Sequence, residues 1–431
     1  MSRMIPIETL GECKIDSPFQ AQQQEFFNDD NGVIYWVHSL DYPAGSSVDG
    51  IEYFQRAGAR EKIYFKPKET IVGVVTCGGL CPGLNDVIRA VTFCALEGYG
   101  VKKVLGFQYG YEGLVAEYAH PPVELNTDNT DDIHEKGGTI LKTSRGPQDA
   151  KEMVRTLRQH KVDILITIGG DGTLRGAHAI QDEITAQGLK IAVIGVPKTI
   201  DNDIGVIERS FGYETAVQGA WGVVNCAHVE AKSCRHGVGL IKLMGRESGW
   251  IASSTATSNS NVNFCLIPEV PFDLDGPNGF FEHLRQRLER KDHAVVVVAE
   301  GAGQNLIPHG EIRDKSGNKK LADIGIFLRD EMLRWFAGKN CEINIKYFDP
   351  SYLIRSTPAN ANDAEYCLFL GYNAMHAAMA GKTGMVVGMH NHRLVHMPMS
   401  MISERKLVDP HGWNWQAVLQ TTYQPARMVN E

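Results

Sequence analysis

The sequence predicts an α/β protein of two interleaved domains, each built on a mostly parallel sheet covered by helices on both faces. Three observations predict it. The chain has 431 residues, 43% hydrophobic and 22% charged, with 44 glycines, more than one ordinary core accommodates. Several short runs are apolar almost without a break, as strands buried on both faces must be. Each run ends at a turn and gives way to residues of helical period, the cadence of parallel strands joined through helices.

Residues 1 to about 68 stand outside this cadence. They are rich in Gln, Asp, Ser and aromatics, as in the glutamine run 20–25 and Tyr35-Trp36, and read as an N-terminal extension wrapping onto the body. Ile71-Val72-Gly73-Val74-Val75-Thr76 is then a β-rich run broken by Gly78-Gly79, after which Val87, Ile88, Val91 and Ala95 share one helical face. The cadence returns at 163–168, 191–194, 238–241 and 295–298. No low-complexity linker or fixed repeat separates two halves. The chain is therefore expected to cross between domains, with 69–212 plus about 354–400 in one and 213–353 plus about 401–431 in the other.

A net charge of -8 and a pI near 6.0 argue against a nucleic-acid partner, which calls for a basic face. Nine cysteines without metal-ligand spacing fit reduced thiols. The opening Met1-Ser2-Arg3-Met4-Ile5-Pro6 lacks the long apolar stretch of a signal peptide, and the apolar run 294–299 is too short to span a membrane. A cytoplasmic enzyme without a membrane partner is expected.

In parallel sheets, ligands lie beyond the carboxyl ends of the strands, so the residues just after each run carry the information. The first such turn holds Gly78-Gly79. Paired glycines before a helix let backbone amides approach an anion, although alone they are more often a plain tight turn. The second is Gly169-Gly170-Asp171-Gly172-Thr173, leading into a helix expected over 174–183. Glycines on both sides of Asp171 are expected to permit unusual backbone angles and to clear room for a triphosphate. Asp171 can then hold Mg²⁺ against it; the alternative is a simple helix cap. Sugar-phosphate, NAD and lipid kinases all use turns close to this one.

The third turn is Pro197-Lys198-Thr199-Ile200-Asp201-Asn202-Asp203. In an extended loop, acids two residues apart project to one side. Phosphoryl transfer to an alcohol needs a carboxylate to take the proton, a metal and a cation for the transferred group. Asp201 suits the first role, Asp203 can assist the metal, and Lys198 can reach the phosphoryl oxygens. Read alone, the loop favours two simple turn acids.

Together the three turns resemble the ATP-dependent 6-phosphofructokinases of the type A family, in particular the branch of plants, trypanosomatids and some bacteria. The similarity runs from about residue 70 to about 390. It implies the phosphofructokinase fold, with ATP on Gly78, Arg145, Gly146, Gly170, Asp171, Gly172 and Thr173, and Mg²⁺ on Asp171. It implies Asp201 as proton acceptor, with Lys198 and Arg246 assisting. Fructose 6-phosphate would be bound by Thr199, Ile200, Asp201, Asp203, Met244, Gly245, Arg246, Glu300, Lys346, Tyr352 and Arg355. The first domain would then bind ATP and the second the sugar phosphate, in an allosteric homodimer or homotetramer of glycolysis.

These residues also make sense without the family. Arg246, Lys346 and Arg355 can neutralise phosphate, and Glu300 can accept from sugar hydroxyls. Two departures stand out. Short bacterial members carry an arginine seven residues before Met-Gly-Arg that serves a neighbouring subunit; here that position is Gly237, so the contact passes to Arg235 or is absent. Tyr352 stands where those members have histidine, as in the pyrophosphate-using branch. That branch also has aspartate where this chain has Gly172, and a glycine leaves room for the α-phosphate of ATP. ATP is the expected donor, and the pyrophosphate-dependent enzyme is the alternative. A catalytically dead subunit should have lost an acid or a glycine from these turns, and none is lost. Residues near Glu269 offer a candidate regulatory surface.

Overall fold

A computed structural model describes residues 3–19, 27–28, 32–34, 52–308, 321–403 and 405–430. The glutamine run 20–25 and Tyr35-Trp36 lie outside the described residues. The chain divides into two compact units. Met1–Thr199, Ile204–Gly212 and Thr357–Arg405 form the first; Ile200–Asp203, Tyr213–Ser356 and Lys406–Glu431 form the second.

The first unit is organised by a large sheet. Its centre holds the parallel strands Ile71–Thr76, Ile164–Gly169 and Ala192–Pro197, with Lys103–Phe107 on one side and Met385–His390 on the other. Every residue of the three central strands is buried, which is why their sequences show no polar alternation. Antiparallel strands complete the sheet: Val123–Leu125 beyond Lys103–Phe107, and Arg393–Pro398 followed by Glu52–Arg56 beyond Met385–His390.

The described part of the extension is built into this unit. Arg3–Met4 pairs with Glu52–Arg56, Glu8–Thr9 with Lys382–Thr383, and Ile15–Asp16 with Lys62–Ile63. Phe19 then packs edge-on to Tyr99 at 4.9 Å and to His376 at 5.6 Å. Tyr99 Oη and His376 Nδ1 share a hydrogen bond of 2.8 Å, and burial lowers the imidazole to about 4. Strands of two residues leave too little pattern to read in a sequence.

The second unit holds four parallel strands, ordered Phe264–Leu266, His293–Ala299, Gly237–Leu243 and Asn344–Phe348. Val295 and Val297 enter one core with Ile241, Leu243, Ala252 and Trp415. Val296 and Val298 enter the opposite core with Leu240, Phe280, Leu284 and Leu328. Successive side chains of one valine run thus feed two cores, one beneath the helices Tyr213–Lys232, Trp250–Ser258 and Trp413–Thr422, the other beneath Phe280–Lys291 and Ile324–Gly338. All nine cysteines are free thiols. Among the described residues, no helix is long and apolar enough to cross a membrane.

Candidate active site

In the first unit, the strand Ile71–Thr76 ends at Cys77, whose amide donates to the Ile168 carbonyl at 3.0 Å. Gly78 then takes a φ of 88°, a region a side chain strains to adopt. Its amide donates to the Ser144 carbonyl at 3.1 Å, and its own carbonyl accepts from Thr143 Oγ1 at 2.7 Å. These bonds tie the segment carrying Arg145 and Gly146 to the first glycine turn. Two cations close on that turn. Lys198 Nζ donates to the Gly79 carbonyl at 2.8 Å, and Arg145 Nη2 lies 3.1 Å from where a Gly79 Cβ would stand. The Cys77 thiol beside them is pushed up to about 12 by burial, so it stays neutral and is not a nucleophile.

The second turn differs from its expectation in two ways. The helix runs Asp171–Ala186 with Gly170 at its N-cap, so Asp171, Gly172 and Thr173 are its first turn. Gly170 has φ −81° and ψ −169°, ordinary extended backbone, and neither Gly169 nor Gly172 is left-handed. The glycines supply space, not unusual angles. A Cβ on Gly169 would stand 2.2 Å from Thr173 Oγ1, and one on Gly170 3.2 Å from the Lys198 carbonyl. At Gly172 a Cβ would meet only Arg175 Nη2, at 3.9 Å, an ordinary contact with the end of a flexible side chain, so that position tolerates a side chain without a clash. The Thr173 carbonyl accepts from Tyr111 Oη at 2.6 Å, anchoring the turn from below.

Asp171 pairs with Arg175 one helical turn on, and its side chain stays 40% exposed. Among the described residues, no three His, Cys, Asp or Glu side chains cluster as a metal cage. A magnesium ion here would take one protein carboxylate and find its remaining ligands in phosphate and water, which suits that ion.

In the second unit, the loop 200–203 is not extended. Asn202 has φ 53°, so the alternation that would place Asp201 and Asp203 on one side does not apply. Asp201 Oδ2 accepts from the Arg246 amide at 3.5 Å, while its carbonyl accepts from Ser248 Oγ at 3.0 Å. The Asp203 carbonyl instead accepts from the Lys406 amide at 2.9 Å, and Lys406 Nζ donates to Asn202 Oδ1 at 2.9 Å. Ile200 packs against the second unit's core. Thr199 closes the first unit's stretch, its carbonyl accepting from Ser210 Oγ at 2.6 Å.

Leu243 and Ala299 are register partners, so the residues after them emerge side by side. The Glu300 amide donates to the Leu243 carbonyl at 2.8 Å and the Gly301 amide to the Gly245 carbonyl at 3.0 Å. Gly245, after the buried Met244, has φ 130°. A Cβ on Gly301 would stand 1.8 Å from the Arg246 carbonyl oxygen. Burial raises the Glu300 carboxyl, and Arg246 opposes the rise, with Lys242 and Arg355 adding to its effect. Glu300, Arg246 and Arg355 therefore share one electrostatic neighbourhood. The Arg355 guanidinium stacks 4.4 Å over the Tyr352 ring.

Lys346 is placed differently. It pairs with Gly239, four residues short of Leu243, which is about 13 Å back along the strand. Gly237 lies at the amino end of the same strand, where a Cβ would stand 1.9 Å from the Ala231 carbonyl. Arginine has no room there, and Arg235 is exposed nearby. Glu269 Oε1 accepts from the Gly249 and Val408 amides, each at 2.9 Å, and so ties two segments together. Sequence reasoning passed over Ser248, although it lies two residues after Arg246. It also passed over Lys406, which no sequence signal connects to Asn202.

Parallel sheets whose strand ends carry glycine turns, cations and half-buried acids define an α/β protein that handles phosphate groups. A family model described as Phosphofructokinase matches residues 71–378. The chain belongs to the phosphofructokinase family. The ATP-dependent 6-phosphofructokinase of Borreliella burgdorferi is 46% identical over 437 residues, spanning 98% of this chain and 97% of its own. That of Trypanosoma cruzi is 46% identical over 371 residues, spanning 85% and 76%. The fold is also that of a pyrophosphate-dependent phosphofructokinase from Marinobacter aquaeolei, with a TM-score of 0.68 at 20% identity, covering 82% of this chain and 91% of that one.

Proposed function

We propose that this chain transfers the γ-phosphoryl of ATP to the 1-hydroxyl of fructose 6-phosphate, giving fructose 1,6-bisphosphate and ADP. The relatives that match nearly its whole length are named ATP-dependent 6-phosphofructokinases. The observation that carries the reading is the loop 198–203. Within it, Lys198 lies on the first unit's glycine turn and Asp201 lies on the second unit's Arg246 amide.

In this reading the first unit holds the donor and the second the acceptor. Lys198, Arg145 and the amides at Gly78 and Gly170–Thr173 neutralise the donor's phosphates. Magnesium on Asp171 supplies further charge neutralisation when bound. Asp201 takes the proton from the sugar's 1-hydroxyl. Arg246 and Arg355 bind phosphate, and Glu300 accepts from sugar hydroxyls. Lys346, set back along its strand, serves outside this cluster. The lack of a side chain at Gly172 favours ATP over pyrophosphate, because a nucleotide carries an α-phosphate that pyrophosphate lacks.

A coupled assay crossing ATP, pyrophosphate and ADP with fructose 6-phosphate and sedoheptulose 7-phosphate tests the reading. Turnover with ATP and fructose 6-phosphate is expected. Turnover with pyrophosphate alone as donor overturns the donor assignment.

A further inference from the structure

The strand that delivers Met244, Gly245 and Arg246 carries one lysine, Lys242, just before its end. Its ammonium lies 2.7 Å from Asp323 Oδ2 and 2.9 Å from Asp349 Oδ2, and the side chain is only 12% exposed. Asp323 Oδ1 caps the helix Ile324–Gly338 through the Ile326 amide at 3.1 Å and accepts from Tyr347 Oη at 3.2 Å. Asp349 Oδ1 accepts from the Ser351 amide at 3.2 Å and from Ser351 Oγ at 2.6 Å. Asp349 therefore heads the short helix Ser351–Arg355, the element that presents Tyr352 and Arg355. One ammonium joins the strand that leads to Arg246 to the segment that begins at Asp349.

Two carboxylates converging on one point repel strongly unless a cation stands between them. Burial by itself would lower Lys242 and raise both acids; their mutual hydrogen bonds reverse all three directions. The trio is thus charged at neutral pH, and removing the ammonium leaves two like charges, each about a third exposed, facing each other without a cation between them. The charge of Asp349 also reaches Glu300, as do those of Lys242 and Arg355. A shift of Asp349 would therefore disturb both the position of Arg355 and the field at Glu300.

We propose that Lys242 is a positioning residue for the acceptor, acting through Asp349 to hold the Tyr352–Arg355 turn beside Arg246 and Glu300. The assignment rests on reading residues 352–355 as part of the sugar-phosphate site. Lys242 carries no proton in the reaction. Its task is to fix where the phosphate-binding cation stands.

The test compares wild type with Lys242→Met, Lys242→Arg and Asp349→Asn, measuring KM for each substrate, kcat and melting temperature. Lys242→Met is expected to raise KM for fructose 6-phosphate about tenfold or more. KM for ATP should stay within about twofold, and kcat should change less than the sugar-phosphate KM. Lys242→Arg keeps the charge and should recover most of the loss. A melting shift in Lys242→Met with unchanged KM for fructose 6-phosphate, or equal loss for both substrates, overturns the proposal. If Lys242→Met fails to fold, Asp349→Asn carries the same test, because its amide oxygen still caps Ser351 while the ion pair is lost. Failure of the wild type to phosphorylate fructose 6-phosphate defeats the function reading itself, and it is seen before any variant is compared.

Discussion

The Lys198 ammonium sits on the Gly79 carbonyl oxygen at 2.8 Å, a bond between residues 119 positions apart in the chain. It fixes a buried cation at the first glycine turn, with Arg145 closing on the same turn. Replacing Lys198 by methionine keeps the bulk and removes the charge. Turnover should fall roughly a hundredfold to a thousandfold, with KM for fructose 6-phosphate little changed. Steady-state kinetics with each substrate varied in turn decides it.

Asp201→Asn preserves shape and the contact with the Arg246 amide but cannot take a proton. Turnover should fall at least about a hundredfold while equilibrium binding of fructose 6-phosphate stays near wild type. A loss of less than about tenfold would remove Asp201 from the role of base.

A Cβ on Gly172 would touch only the end of the flexible Arg175 side chain, at 3.9 Å, so the fold should accept a side chain there and the effect should fall on the donor. Gly172→Asp is expected to melt close to wild type yet lose ATP turnover, because its carboxylate meets the donor's phosphates. Unchanged ATP turnover in this variant would show that the position does not set donor choice.

Gly301→Ala should behave in the opposite way. Its Cβ would stand 1.8 Å from the backbone oxygen of Arg246, which cannot swing aside as a flexible side chain can. A loss of roughly 2 kcal/mol or more in denaturant unfolding is expected, with weaker fructose 6-phosphate binding as Arg246 and Glu300 move apart.

Asp86, near the start of the helix Leu84–Phe93, offers a test by pH. Burial pushes its carboxyl from an ordinary 3.8 up to about 6, with His134 and Arg89 opposing in part. The folded state therefore holds this proton more tightly than the unfolded chain. Its contribution is full below about pH 4 and is lost as pH rises toward 6, amounting to about 3 kcal/mol. Across that window wild type should lose stability relative to Asp86→Asn, measured by denaturant unfolding at a series of pH values.

The sequence by itself determined the local chemistry. Near-continuous apolar runs such as 164–168 and 295–298 declared strands buried on both faces, and the residues after them named the turns, the acids and the cations. It could not determine why each glycine stands where it does. A glycine needed for a left-handed φ, as at Gly78, and one needed because another backbone passes close, as at Gly170 and Gly301, are the same letter in a sequence. Only the tertiary structure separated them, because the second kind depends on which distant segment arrives. The same holds for Asn202, whose left-handed turn sends Asp201 toward Arg246 and Asp203 toward Lys406. Sheet register, which no local pattern encodes, set Lys346 back from the strand end while bringing Arg246 and Glu300 together. Lys242 shows the limit most clearly: along the chain it is one lysine in an apolar strand, and its two carboxylates come from segments 81 and 107 residues away.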